Sequence, residues 1–277
     1  MNESDQNARH FSVGWREQLD LDAGPSPAAN LDLQWHLAAW EPVMHFWSEI
    51  FSDLAPGKRV LECGGATGRL PIYMARDGWQ FTVIDITSEG PLLARERCSR
   101  AGVRGHFATA DVFQLPFDDS SFDVVTSHGL LDLLTDIDSA VKEMTRVLKP
   151  GGLFTATAYP RRLSVQTVAD VALMLPRAVS ASRRTRSIGR RSQRPHRNNY
   201  SRQRYAAACE AAGLGHVVTT GVVPFPRIHL PSLLQRGYVR LTRLLQSESL
   251  AFNRSRAAWT STWGTMLAIY GVKTRNP

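Results

Sequence analysis

"LECGGATGRL", residues 61–70, puts three glycines and otherwise small side chains between an acid and an arginine. So small a run lets backbone approach a ligand closely, so it reads as a binding turn. It lies between the strand pattern "RVLEC" and the helical pattern "GRLPIYMARDG", and the same alternation continues outward. "QFTVID", "GHFATAD", "FDVVTSH", "GLFTATAY", "HVVTTGVV" and "GTMLAIYGVK" complete seven strands, with "PLLARERCSRAG", "TDIDSAVKEMTRVLKPGG" and "YSRQRYAAACEAAG" as helices among them. Such alternation predicts an α/β fold with a doubly wound, Rossmann-like, seven-stranded and mostly parallel sheet covered on both faces. In "TDIDSAVKEMTRVLKPGG", Thr135 and Asp138 form a capping-box pattern, Ile137, Val141, Met144 and Leu148 make one stripe, and Pro150 and Gly151 stop the helix.

The turn's spacing excludes two phosphate readings. A dinucleotide fingerprint needs G-x-G-x-x-G, whereas Ala66 and Arg69 stand where the second and third glycines belong; a P-loop needs a Gly-Lys-Ser/Thr that is absent. Glu62 at the strand end would also repel a phosphate and instead favours an amine or other cation. Asp85 ends the second strand, where a carboxylate can accept from both hydroxyls of a ribose. Asp111 follows the third strand and could accept from an exocyclic amine such as that of adenine. A nucleoside with an amino-acid-like tail fits all three acids, and S-adenosylmethionine is such a molecule.

On these residues the chain resembles the class I S-adenosylmethionine-dependent methyltransferases, especially the small-molecule, type 11-like group, over residues 58–158 and again over 200–222. The family's D/E-x-G-x-G-x-G appears as "VLECGGATGRL", with Ala66 for the middle glycine. "ADVFQLPFDDSSFDVV" is similar to the adenine loop and fourth strand, and "VLKPGGLFTATA" to the turn into the fifth. The resemblance implies that Gly64, Gly65 and Gly68 pack near the methionine moiety, that Asp85 and Ile86 hold the ribose, and that Asp111 and Val112 hold adenine. It also places substrate-facing groups after the fourth strand, where "SHGLLDLL" offers His128 as a general base or as a contact to the cofactor's tail. His36, His45, Tyr159 and His229 are secondary candidates. Asp132, Asp136 and Asp138 suggest a magnesium site, but two of them are explained by the start of a helix, and no metal is expected.

Composition bounds the partners. Residues 1–170 hold 15 Lys and Arg against 23 Asp and Glu, whereas residues 171–277 hold 18 against 2. Residues 177–204 alone carry ten arginines and no acid. This segment reads as a solvated lid in an arginine-rich chain, as a receptor for an anionic small substrate, or as an RNA-binding strip, the last disfavoured by the lack of interleaved aromatics. The methylases of exocyclic nucleic-acid amines carry an Asn/Asp-Pro-Pro-aromatic motif, and this chain has no Pro-Pro. Cys63, Cys98 and Cys209 are too scattered for a disulfide framework or zinc site.

Residues 1–29 predict a flexible N-terminal arm, 30–55 a helical cap of two helices broken at Pro42, and 56–277 the cofactor-binding domain with insertions at 160–198 and 224–262. In the second insertion, "HLPSLLQRGYVRLTRLLQ" reads as a basic amphipathic helix, its leucines able to pack on the domain, line a greasy pocket or touch a membrane surface. The chain's start lacks a signal-peptide pattern and no stretch approaches ~18 apolar residues, so the expected setting is cytoplasmic without stable membrane insertion. The expected activity is methyl transfer from S-adenosylmethionine to an apolar or aromatic small molecule, which can carry a carboxylate or diphosphate, in biosynthesis. Nucleic acid is a disfavoured partner and a homodimer is compatible with the exposed cap. The competing readings are an RNA methyltransferase using the arginine segment and a cofactor-binding protein without turnover.

Overall fold

The computed structural model describes residues 8–9, 11–16, 31–74, 77–159, 164–169, 171–172, 197–228 and 230–275. Arg183, Arg184, Arg186, Arg190, Arg191, Arg194 and His229 lie outside the described residues.

Strands β1 (Arg59–Cys63), β2 (Gln80–Asp85), β3 (His106–Thr109), β4 (Phe122–His128), β5 (Leu148–Ala158), β6 (Leu214–Val222) and β7 (Met266–Lys273) form one sheet in the order β3-β2-β1-β4-β5-β7-β6. The first five are parallel, and β7 runs antiparallel to both β5 and β6. The helices are α1 (residues 11–16), α2 (Leu31–Leu54), α3 (Arg69–Met74), α4 (Glu89–Arg100), α5 (Ile137–Val147), α6 (residues 165–169), α7 (Arg202–Ala211), α8 (Ser232–Leu244), α9 (Gln246–Arg254) and α10 (Ala258–Trp263). No described helix is long and apolar enough to cross a membrane.

Successive strand residues point to opposite faces, and each face builds its own core. Leu61, Val125, Phe154 and Ile269 pack with Ile137, Val141 and Met144 of α5 and Tyr205 and Ala208 of α7. Val60, Val124, Leu153 and Ala268 pack with Trp35, Val43, Trp47 and Phe51 of α2, Leu70 and Met74 of α3 and Val239 of α8. The three cysteines are buried free thiols.

Three expectations are corrected. First, α2 does not break at Pro42. Proline removes the helical bond to the Ala38 carbonyl and costs about 3 kcal/mol in a helix interior. Here Gln246 Nε2 donates to that carbonyl at 3.5 Å and to Glu41 Oε2 at 2.7 Å. Burial of Trp35 and Ala39 before the proline, and of Val43 and Trp47 after it, holds both halves against one sheet face. Second, α5 is capped one residue later than the box pattern implied: Asp136 Oδ1 accepts from Ser139 N at 3.0 Å, while Asp138 pairs with Arg204. The helix also ends at Val147 and passes directly into β5, before Pro150 is reached. Third, the α8 leucines do not pack on the domain, because Gln235, Val239 and Thr242 take the inward face.

Candidate active site

The sheet order reverses between β1 and β4, and open α/β sheets bind ligands beyond the carboxyl ends of their strands at such a point. A cavity of about 320 Å³ lies there, walled by the ends of β1, β2 and β4, the loop after β3, α1 and α2. Its lining includes Glu62, Gly64, Asp85, Ile86, Asp111, Val112 and His128, so seven residues expected from sequence converge on one cavity.

Gly65 and Gly68 do not line it. A Cβ at Gly65 would sit 2.6 Å from Val83 Cγ1 and 2.7 Å from Glu62 Cδ, so the residue is needed for packing behind the turn. Gly68, at φ +60°, brings the turn within contact of the Ala94 backbone. Both Gly64 N and Gly65 N donate to the Ile84 carbonyl, at 2.8 and 3.1 Å, which ties the turn to the end of β2.

The carboxylates differ in environment. Glu62 is buried, its Oε2 has no hydrogen-bond partner among the described residues, and burial pushes the carboxyl up to about 8. An orphaned buried acid on the cavity wall fits an ammonium ligand, which would restore its charge. Because this folded-state value lies above the ordinary 4.5, the acid's contribution to stability is full below 4.5 and is lost as pH rises through about 8. Affinity for a cation rises over the same window. S-adenosylmethionine binding at pH 7 is therefore expected to release most of a proton, read by calorimetry in buffers of different ionisation enthalpy. Glu62→Gln should release none, and equal release by both proteins would remove Glu62 from the ammonium site.

Asp85 is also buried, and desolvation raises its value against the lowering by its Thr87 bonds. Thr87 N and Oγ1 both donate to Asp85 Oδ1, at 2.9 and 2.7 Å, while Thr87 Oγ1 accepts from Gly90 N at 3.1 Å. Both bonds from Thr87 to Asp85 fall on the same carboxylate oxygen, Oδ1. Asp111 is exposed and accepts from Phe113 N at 3.0 Å, closing the loop after β3.

His128 ends β4 within hydrogen-bond reach of two threonines: Nε2 is 3.3 Å from Thr126 Oγ1 and Nδ1 is 3.3 Å from Thr157 Oγ1. The rings of Trp40 and Trp47 stand edge-on to it at 6.1 and 5.9 Å. Burial lowers its value to about 4, so the ring is neutral at physiological pH. His45 is exposed beside Glu49 and Tyr73, away from the cavity.

Tyr159 and Arg197 also line the cavity, with Arg69 and Trp40. Arg197 lies 4.8 Å over the Tyr159 ring and pairs with the fully buried Asp132. Burial, then Asp132, pushes the Tyr159 hydroxyl up to about 12 against the fields of Arg197, Arg69 and Arg227. Asn198 fixes this corner by donating from Nδ2 to the Leu131 and Leu134 carbonyls at 2.7 and 2.6 Å, and Tyr205 OH donates to its Oδ1 at 2.7 Å. Asp132, Asp136 and Asp138 are thus divided among Arg197, the α5 cap and Arg204.

Sequence reasoning missed α1. Ala8, Phe11 and Trp15 line the cavity, the last two stacked at 5.8 Å, while Ser12 and Arg16 bind the Glu89 carboxylate at the start of α4. Those two partners hold Glu89 down to about 2. The expectation of a loosely ordered arm is corrected for these residues. Phe11 with Trp15 and Ser12 with Arg16 are both i,i+4 pairs, the signal that could have revealed a helix with one docking face.

Residues 61–156 match the family model described as "Methyltransferase domain", and the sheet order and the cavity at its switch point are those expected of a class I S-adenosylmethionine-dependent methyltransferase. Among curated relatives, the ubiquinone/menaquinone biosynthesis C-methyltransferases UbiE of Shewanella sediminis and Teredinibacter turnerae are 33% and 35% identical over 165 and 162 residues. These matches cover 55% and 54% of this chain and 65% of each relative, so the chain spans less than two thirds of their length. The magnesium protoporphyrin IX methyltransferase of Synechocystis, solved with bound SAH, shares the fold at TM-score 0.59 and 11% identity, covering 96% of this chain and 98% of that one.

Proposed function

We propose that the protein transfers a methyl group from S-adenosylmethionine to a small aromatic or apolar acceptor that carries an acidic group, as a step in biosynthesis. The observation that carries this reading is a single cavity lined by the acids Glu62, Asp85 and Asp111 together with Trp40, Tyr159, Arg69 and Arg197. The relatives' names, which give ubiquinone and menaquinone biosynthesis, support an aromatic acceptor.

The cofactor supplies an electrophilic methyl on a sulfonium, and the chain's task is to exclude water and aim the acceptor. Trp40 and Tyr159 offer planar apolar walls for a ring. A guanidinium beside the acceptor favours its ionised form, so an acidic acceptor arrives as its own nucleophile and needs no general base. We assign His128 to the wall on this account: a neutral ring within reach of two threonines, with its value lowered to about 4, is a weak proton acceptor.

Calorimetry with S-adenosylmethionine and S-adenosylhomocysteine, followed by a mass-spectrometric screen of aromatic acids and phenols, tests the reading. In Arg197→Lys, the acceptor's KM should rise about tenfold through loss of the planar fork, with S-adenosylhomocysteine affinity within about twofold of wild type. Methylation of RNA in place of metabolites, or cofactor binding with no turnover across the screen, would overturn it.

A further inference from the structure

The outward face of α8 has no counterpart in the methyl-transfer site. Leu233 is 79% exposed, Leu244 78%, Leu234 61% and Leu241 47%. At 3.6 residues per turn these four fall within about 100° of the helix circumference, opposite the inward Gln235, Val239 and Thr242. Arg236, Arg240 and Arg243 are exposed and occupy the adjoining arc of about 60°. A Cβ at Gly237, on the same outward face, would meet nothing within 4 Å. No acidic residue occurs between Glu210 and Glu248.

We propose that α8 docks the protein on an anionic lipid bilayer, lying flat with its leucines among the acyl chains and its arginines at the headgroups. A short helix with a continuous apolar stripe and a basic edge has the form of an interfacial anchor. Charge decides between this occupant and a second copy of the chain. A two-fold pairing through the leucines would bring two arginine edges together with no acid on either helix to match them, whereas anionic headgroups neutralise all three. The surface is independent of the proposed reaction, although a bilayer is also where apolar acceptors concentrate.

The test is sedimentation of the full chain with vesicles of phosphatidylglycerol and phosphatidylcholine in equal parts, against phosphatidylcholine alone. Wild type should partition onto the anionic vesicles and far less onto the neutral ones. Replacing Leu233 and Leu244 together by serine should lower that partitioning about tenfold or more. Replacing Arg236, Arg240 and Arg243 together by glutamine should lower it on the order of a hundredfold. All five side chains are exposed, so circular dichroism and cofactor affinity should match wild type. Three results would overturn the proposal. They are equal binding to neutral vesicles, anionic binding that neither variant reduces, and a dimer in light scattering that the leucine substitutions dissolve.

Discussion

Asp85→Ala should weaken binding of both S-adenosylmethionine and S-adenosylhomocysteine by roughly a hundredfold, about 3 kcal/mol, measured by calorimetry at pH 7. The size follows from the loss of charge-assisted hydrogen bonds to ligand hydroxyls from a buried carboxylate on the cavity wall. Both ligands carry the ribose, so both should lose alike. Stability should change much less. The substitution strands the Thr87 hydroxyl, but it also removes a carboxylate whose ionisation burial opposes, and the two effects offset. Asp85→Asn keeps an acceptor for Thr87 and should lose only about tenfold in affinity. If Asp85→Ala binds within about twofold of wild type, or if only one of the two ligands is affected, the ribose assignment is wrong.

What the sequence disclosed about this site follows from where its information is local. Each strand of the sheet is a short apolar run, and the acids that matter stand at strand ends, so Glu62, Asp85 and Asp111 could be placed by counting along the chain. Contacts between distant segments were hidden. Pro42 read as a helix break because the donor that satisfies the Ala38 carbonyl, Gln246, lies far along the chain. The α8 leucines could be read as packing, as pocket lining or as a membrane face, because periodicity shows which side chains share a stripe but not which stripe meets the protein. Arg197 stood among ten arginines of one charged run, and only the fold sets it over Tyr159 and against Asp132. For Gly65, the motif showed a small residue but not that its missing side chain makes room for Val83 and Glu62.

The same hidden packing accounts for the motif's one departure, and it yields the second large effect: Gly90→Ala should cost about 3 kcal/mol of stability and on the order of a hundredfold in cofactor affinity. Ala66 is fully buried where the family pattern has glycine, so its methyl needs space. Gly90, in the first turn of α4, provides it: a Cβ there would lie 3.0 Å from Ala66 Cβ and 2.8 Å from both Cβ and Cγ of Asp85. Neither neighbour can yield cheaply. Asp85 is held by two bonds from Thr87, and Thr87 in turn accepts from the Gly90 amide, so displacing α4 loosens the carboxylate that should bind ribose. Alanine's better helix propensity would return at most about 1 kcal/mol. Gly237→Ala isolates that term, since its Cβ enters open space in α8 and should raise stability by about 0.5–1 kcal/mol without changing cofactor affinity. Thermal unfolding and calorimetry on the two variants separate the effects. Adding Ala66→Gly to Gly90→Ala should recover part of the loss, because it relieves the contact with Ala66 but not the one with Asp85. Full recovery would show that Asp85 can shift freely, and no recovery would show that Ala66 was never the reason Gly90 is required.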